Sequence, residues 1–330
     1  MKITITNKSA ITDPSQIFLL LTGTGFKGSG ITVGKSTTLA SLTNNSFDLT
    51  QIDSGRLYIS YYTALPTNPA PTSNNYYGYI ELTLGTDNVV WTDLSSVDTF
   101  GVPIAMELGA TKLGYSKSHN TIVQEIATAL GGTNGTAVQR KNGKGNTKVV
   151  GANVLYMNQP SYDSYLKTLK GKSLTIKNVK DSPLKYDFTG TFKTDGSISL
   201  TSTTPKLTFE IPAADLTNKT IYLSNGNCIY NGKKRNAMSP NDTCAAVYRD
   251  IMVGINEGYF SATGKNDSSL FSNLTPFANG HGNVYAKVIH EGSDSYGYPF
   301  SDKNLKTLIK VPVTSASNLK LTILTDDATS

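Results

Sequence analysis

Over roughly the first hundred residues, apolar and polar positions alternate with a period of two, interrupted by clusters of Gly, Pro and Asn. This is the pattern of antiparallel strands that bury one face, in a sandwich or barrel. It predicts strands over 17–22, 56–62, 79–84 and 89–91, and a loop over 66–75, which is rich in Pro, Thr and Asn. Beyond Leu108 the period changes. Ile122, Val123, Ile126 and Leu130 share one face of a helix predicted over 118–130, with Gly131-Gly132 as its stop. A shorter helix is expected over 161–169. Another is expected over 241–255, with Asn241 or Asp242 as N-cap and Val247, Ile251 and Ile255 on one face. Strands return between 173 and 223, where Asp195-Gly196 in TFKTDGSISL marks a hairpin turn. Near Tyr285 the β pattern resumes to the end, and there is no internal repeat. The arrangement these elements imply is mainly β. Residues 1–110 and 280–330 form one β domain, and residues 111–279 form an inserted mixed α/β domain.

Composition changes the picture modestly. The 330 residues are 38% hydrophobic and 16% charged, which suits a folded, lightly charged chain with a sizeable core. The abundant Thr, Ser, Asn and Tyr suit strands and hydroxyl-rich ligands. The net charge of +6 is scattered apart from Arg140-Lys141 with Lys144 and Lys148, and Lys233-Lys234-Arg235. No arginine–aromatic stacking motif accompanies either cluster, so both read as solvated loops and no nucleic-acid partner is expected. No apolar run is long enough to cross a membrane, and the N-terminal MKITITNKS enters a strand pattern without the features of a signal peptide. Two cysteines, Cys228 and Cys244, cannot form a disulfide-dense scaffold, and sequence leaves their pairing open. Spacings among His119, His281 and His290 match no metal site.

Two glycine-rich stretches fail as phosphate sites. Gly23-Thr24-Gly25-Phe26-Lys27-Gly28 fits the dinucleotide spacing, but Ser29–Gly34 opens no helix to meet a pyrophosphate. Gly34-Lys35-Ser36 lacks the leading glycine of a P-loop, since Ser29 stands there.

The candidate chemistry lies between Tyr79 and Pro103, where Glu81 and Asp98 flank the single tryptophan, Trp91. Sugar hydrolysis uses such a set: one acid protonates the leaving oxygen, a second carboxylate serves as base or nucleophile, and an indole packs against pyranose C–H groups. Spacing alone is a weak signal among 24 acidic residues, most of which are surface charges.

The surrounding words are more specific. Glu81-Leu82-Thr83 and Val97-Asp98-Thr99-Phe100-Gly101-Val102-Pro103 resemble the E-F-T and V-D-x-F-G-x-P segments of the β-1,3-glucanases of glycoside hydrolase family 64, and the related segment of thaumatin-like proteins. Gly55-Arg56-Leu57-Tyr58-Ile59-Ser60 is similar to that family's G-R-x-Y-x-S strand. Asn283–His290 and Tyr296–Asp302 are similar to its closing segments. The resemblance implies a thaumatin-like β-sandwich or barrel beside the inserted domain, with an open groove between them and with Asp98 and Asp302 in the same β domain. It implies a monomeric, extracellular endo-β-1,3-glucanase that inverts configuration on linear β-1,3-glucan, needing no cofactor or metal. Glu81 would be the general acid and Asp98 the general base, with Thr83, Trp91 and Ser95 contacting substrate and His290 near the groove. A proton-holding Glu81 should sit in a drier place than Asp98. Tyr61, Tyr62 and Tyr77 are further aromatic candidates. Gly85 stands where the family shows an amide, and Phe300-Ser301-Asp302 replaces Y-D-D. These departures keep open a non-catalytic glucan-binding, antifungal or toxin-like protein of the same fold.

Overall fold

Alternation in the sequence becomes a sheet whose inward face is fully dry. The computed structural model describes residues 1–178, 184–237, 242–302 and 307–330. In chain order the elements are β1 (Lys2–Asn7), β2 (Ile17–Ser29), β3 (Thr37–Thr38), β4 (Ser46–Tyr61), β5 (Tyr77–Leu84), β6 (Val89–Ser95), β7 (Thr99–Phe100), β8 (Ile104–Leu108) and β9 (Thr111–Leu113). There follow α1 (His119–Leu130), α2 (Gly132–Ala137), β10 (Gln139–Lys141), β11 (Thr147–Val150), α3 (Asp163–Leu169), β12 (Ser173–Lys177), β13 (Asp187–Phe192), β14 (Ile198–Thr203) and β15 (Lys206–Ile211). The chain closes with α4 (Asn218–Leu223), β16 (Asn227–Tyr230), β17 (Lys233–Asn236), α5 (Thr243–Asn256), α6 (Val284–Gly292), β18 (Ile309–Pro312) and β19 (Asn318–Ile323).

Two units emerge. The first holds Met1–Gly151, Val288–Gly297 and 307–330. Its main sheet runs β18-β6-β5-β4-β1-β19-β8-β9, with β2 also paired to β4 and β3 paired to β2. The parallel pairing of β1 with β19, Ile3 opposite Leu319, joins strands from opposite ends of the sequence. Ile3, Ile5, Phe47, Leu57, Ile80, Leu82, Leu319 and Leu321 are all buried. Each such side chain contributes about 1.5–3 kcal/mol on leaving water. The sheet rolls until the buried faces of β6 and β8 meet, Thr92 Oγ1 reaching Met106 Sδ at 3.7 Å, so it is nearly a barrel. The sequence places a boundary near residue 110, but this unit runs on to Gly151. The reason is packing: β11 pairs with β7, and His119 at the start of α1, fully buried, stacks on Phe100 with ring centroids 4.9 Å apart.

The second unit holds Ala152–Lys287 and 298–302. A six-stranded antiparallel sheet, β12 to β17 in sequence order, includes the Asp195-Gly196 hairpin. Val247, Ile251 and Ile255 of α5 are fully buried, and Asp242 caps that helix by accepting from the Cys244 N–H. Asn241, the other candidate cap, lies outside the described residues. Cys228 and Cys244 are joined in a disulfide between β16 and α5.

Two expectations are corrected. Residues 284–292 form a helix and not a strand. Tyr285, Ala286, Val288 and Ile289 are buried at helical spacing, and the Asn283 side chain accepts the Ala286 N–H as a cap, a signal that short-range alternation obscured. Asp302 falls in the second unit, whereas Asp98 is in the first. Its segment is fastened there by Tyr298, whose hydroxyl donates to the Ile221 carbonyl, and by Ser301, which donates to Glu257.

Candidate active site

Strand β5 sends Ile80, Leu82 and Leu84 into the core of the first unit and turns Tyr79, Glu81 and Thr83 to its other face. Register then builds rows across that face. Arg56 of β4, Glu81 of β5 and Asp93 of β6 are directly opposite one another, and so are Thr83, Trp91 and Lys310 of β18. Tyr58, Tyr79 and Ser95 make the next row. A bulge between Ile52 and Gly55, with Ser54 at φ 51°, resets β4 just before Arg56.

Arg56 is the centre of the arrangement. One guanidinium nitrogen lies 2.8 Å from Glu81 Oε1 and the other 2.7 Å from Asp98 Oδ2, so a single rigid fork binds both carboxylates at once. Its carbon stands 5.0 Å from the Tyr79 ring centroid. Burial alone would lower the pKa of Arg56. Tyr79, Glu81 and Asp98 outweigh burial, and the net direction is upward, so the guanidinium stays charged.

Each carboxylate has further support. Tyr296 donates its hydroxyl to Glu81 Oε2 at 2.5 Å, and its own backbone is anchored by bonds to Leu94 and Ser96. Asp98 sits in the bend after β6, where its N–H donates to the Tyr79 hydroxyl at 3.0 Å and its carbonyl accepts the Gly151 N–H at 2.8 Å. Burial, joined by Asp98, pushes the Tyr79 phenol well above its ordinary pKa, so it remains protonated. Beyond the bend, a Cβ on Gly101 would lie 1.9 Å from the Tyr77 carbonyl oxygen, which explains why V-D-T-F-G-V-P has glycine there. Gly101→Ala is therefore expected to destabilise the chain by about 2 kcal/mol or more, visible as a lower urea midpoint.

The predicted site residues fare differently. Glu81 and Asp98 share Arg56, but Glu81 is no drier: their side chains are 28% and 26% exposed. Arg56 packs equally against both, which corrects the expected asymmetry of solvation. Thr83 and Trp91 share the face with Glu81, both half-buried, and Thr83 Oγ1 accepts the Ser54 N–H. Ser95 is buried, 4% exposed, beside Tyr79. His290 belongs to α6 and lines a separate cavity of about 480 Å³ with Tyr115, Ser293 and Asp294. Tyr61 and Tyr77 are core residues, at 3% and 1% exposure, with the buried Lys148 ammonium 4.0 Å above the Tyr77 ring. Ser301 is fully buried against Glu257, and Gly85 begins the β5–β6 turn. Sequence reasoning missed the bridging role of Arg56, as well as Asp93 and Tyr296. The turn between Leu84 and Val89 could have revealed Asp93, since a hairpin there puts it opposite Glu81. Among the described residues no cluster of His, Cys, Asp or Glu is arranged to hold a metal ion.

Comparison with known proteins agrees with this architecture. The fold is shared with a laminaripentaose-producing β-1,3-glucanase solved with laminaritetraose, at 18% identity and a TM-score of 0.68 over 99% of both chains. It is shared equally with a β-1,3-glucanase domain of Clostridium beijerinckii, at 13% identity and a TM-score of 0.70 over 98% of both. A laminaripentaose-producing enzyme of Paenibacillus barengoltzii, solved with laminarihexaose, matches at 14% identity and a TM-score of 0.57, over 98% of this chain and 74% of that one. No curated protein matches the chain. The family model for β-1,3-glucanases matches residues 29–310, from β2 to β18. The chain thus belongs to family 64 of the glycoside hydrolases, the β-1,3-glucanases.

Proposed function

We propose that this chain is an endo-β-1,3-glucanase of thaumatin-like fold that cleaves linear β-1,3-glucan with inversion, using Glu81 as general acid and Asp98 as general base. The observation that carries the reading is the Arg56 bridge between these two carboxylates, inside the segment matched by the family. Inversion needs two carboxyls roughly 6.5–9.5 Å apart, with water admitted at the base. The interposed guanidinium keeps the carboxyls out of mutual contact. When Glu81 gives its proton to the departing glycosidic oxygen it becomes an anion, and Arg56 and Tyr296 are in place to stabilise that anion. Asp98, pinned through its backbone to Tyr79 and Gly151, takes the proton of the attacking water. Thr83 and Trp91 would hold the sugar beside Glu81, while Ser95 supports Tyr79. The Cys228–Cys244 disulfide supports an extracellular place of work, since such bonds persist in oxidising compartments.

The rival reading is a glucan-binding protein without turnover. It draws on Arg56 itself, which satisfies both carboxylates as an internal ion network. Release of reducing ends from linear β-1,3-glucan, with a β-1,4-glucan control, separates the two. Hydrolysis of the first alone is expected, and tight binding without release would establish the rival. In pull-downs, retention on β-1,3-glucan is expected to exceed that on chitin and β-1,4-glucan; equal retention on all three would contradict the substrate assignment.

A further inference from the structure

Trp91, the chain's single tryptophan, stands one row along the sheet from the Glu81–Asp93 pair, between Thr83 and Lys310. Lys310 Nζ lies 4.1 Å from the indole centroid, well within cation–π range. The lysine is exposed on β18, at the end of the sheet, while the indole is half-buried. A pyranose stacking on that face of the indole would need the volume the ammonium fills, so the two occupants exclude each other. Across the sheet from Lys310, the neighbour of Trp91 is Thr83 on β5, and toward β18 the indole is covered by the exposed Lys310 side chain.

We propose that Lys310 is a displaceable cap on a glucose-binding subsite at Trp91, and that it sets how tightly that subsite holds a neutral sugar. The inference rests on the β-1,3-glucanase reading of the same face. The cap is weakly held: an exposed contact of this kind is worth about a two- to five-fold factor in an equilibrium, and the ammonium regains water when it swings away. A neutral glucan must overcome that factor before it stacks. Removing the lysine removes the competitor and leaves the indole in place.

The test uses Trp91 as its own reporter, because no second tryptophan contributes fluorescence. A β-1,3-linked glucose hexasaccharide is titrated into Glu81→Gln protein, where cleavage is suppressed, with and without Lys310→Ala. Half-saturation is expected at about two- to five-fold lower hexasaccharide when Lys310 is absent, while Lys310→Arg, which keeps a cation over the indole, stays at or above the parent value. In the active protein, Lys310→Ala should lower KM by a similar factor, with a smaller change in kcat. Unchanged or weaker binding by Lys310→Ala overturns the cap while leaving the glucanase reading intact, provided the wild type still releases reducing ends. A wild type that neither binds the hexasaccharide nor hydrolyses glucan overturns both.

Discussion

Glu81→Gln is expected to lower turnover of linear β-1,3-glucan by at least ~100-fold while glucan binding stays close to wild type. The amide preserves shape, its oxygen can still accept from Arg56 and its NH2 can donate to the Tyr296 hydroxyl, but it has no acidic proton to give to the leaving oxygen. Asp98→Asn should lose a similar factor, since an amide cannot take the proton of the attacking water. The fold should tolerate both changes. Asp98 remains held through its N–H and carbonyl contacts, and Arg56 keeps one carboxylate partner in either variant. Initial rates of reducing-end release, read beside a binding isotherm, check the prediction. Wild-type turnover in either variant would remove that residue from its assigned role.

The second large effect concerns stability. Glu257, at the end of α5, is fully buried, and its Oε1 accepts from Ser301 at 2.5 Å. Its Oε2 has no hydrogen-bond partner among the described residues. Burial pushes its pKa up to about 8, against the smaller opposing influence of the Ser301 hydrogen bond. The folded state therefore keeps this proton up to about pH 8, whereas the unfolded chain releases it near an ordinary glutamate value of about 4.3. Between those values the folded state binds more protons, so its stability falls as pH rises, by an amount on the order of 5 kcal/mol across the window. Glu257→Gln should flatten that dependence, because a neutral amide has no charge to bury. Urea midpoints of wild type and variant, measured between pH 4 and pH 9, test it; parallel curves would refute the assignment. Lys148 slopes the other way in its own window. Burial lowers its pKa to about 7, so it contributes stability that grows as pH rises above 7, and the comparison must be made against the variant rather than on wild type alone.

The contrast between what the sequence disclosed and what it withheld follows the range of the interactions. Glu81 and Asp98 could be picked out because local words surround them, and those words have local causes: alternation that buries Ile80 and Leu82, and a glycine forced by the Tyr77 carbonyl. The helix at 118–130 was legible for the same reason, with Ser118 capping and Ile122 and Ile126 facing inward. Tyr296 was not legible as a partner of Glu81, because 215 residues separate them and only the return of the chain along β6 brings them together. Arg56 stood inside a recognised segment, yet its role depends on a bulge in β4 that sets its register against Glu81. The helix at 284–292 reads as a strand in sequence because Val284-Tyr285-Ala286 and Val288-Ile289 also suit one, and Asn283 decides between them by capping. Equal exposure of Glu81 and Asp98 could not be foreseen, since it arises from one arginine packed against both.

If Glu81 and Asp98 act as acid and base on opposite sides of the scissile bond, the product must appear with inverted configuration. Proton NMR of the newly formed reducing end, recorded in the first minutes of hydrolysis before mutarotation, tests it most directly. Inversion gives the α-anomer first from a β-1,3-linked glucan. Initial appearance of the β-anomer would mean retention through a covalent intermediate and would contradict it.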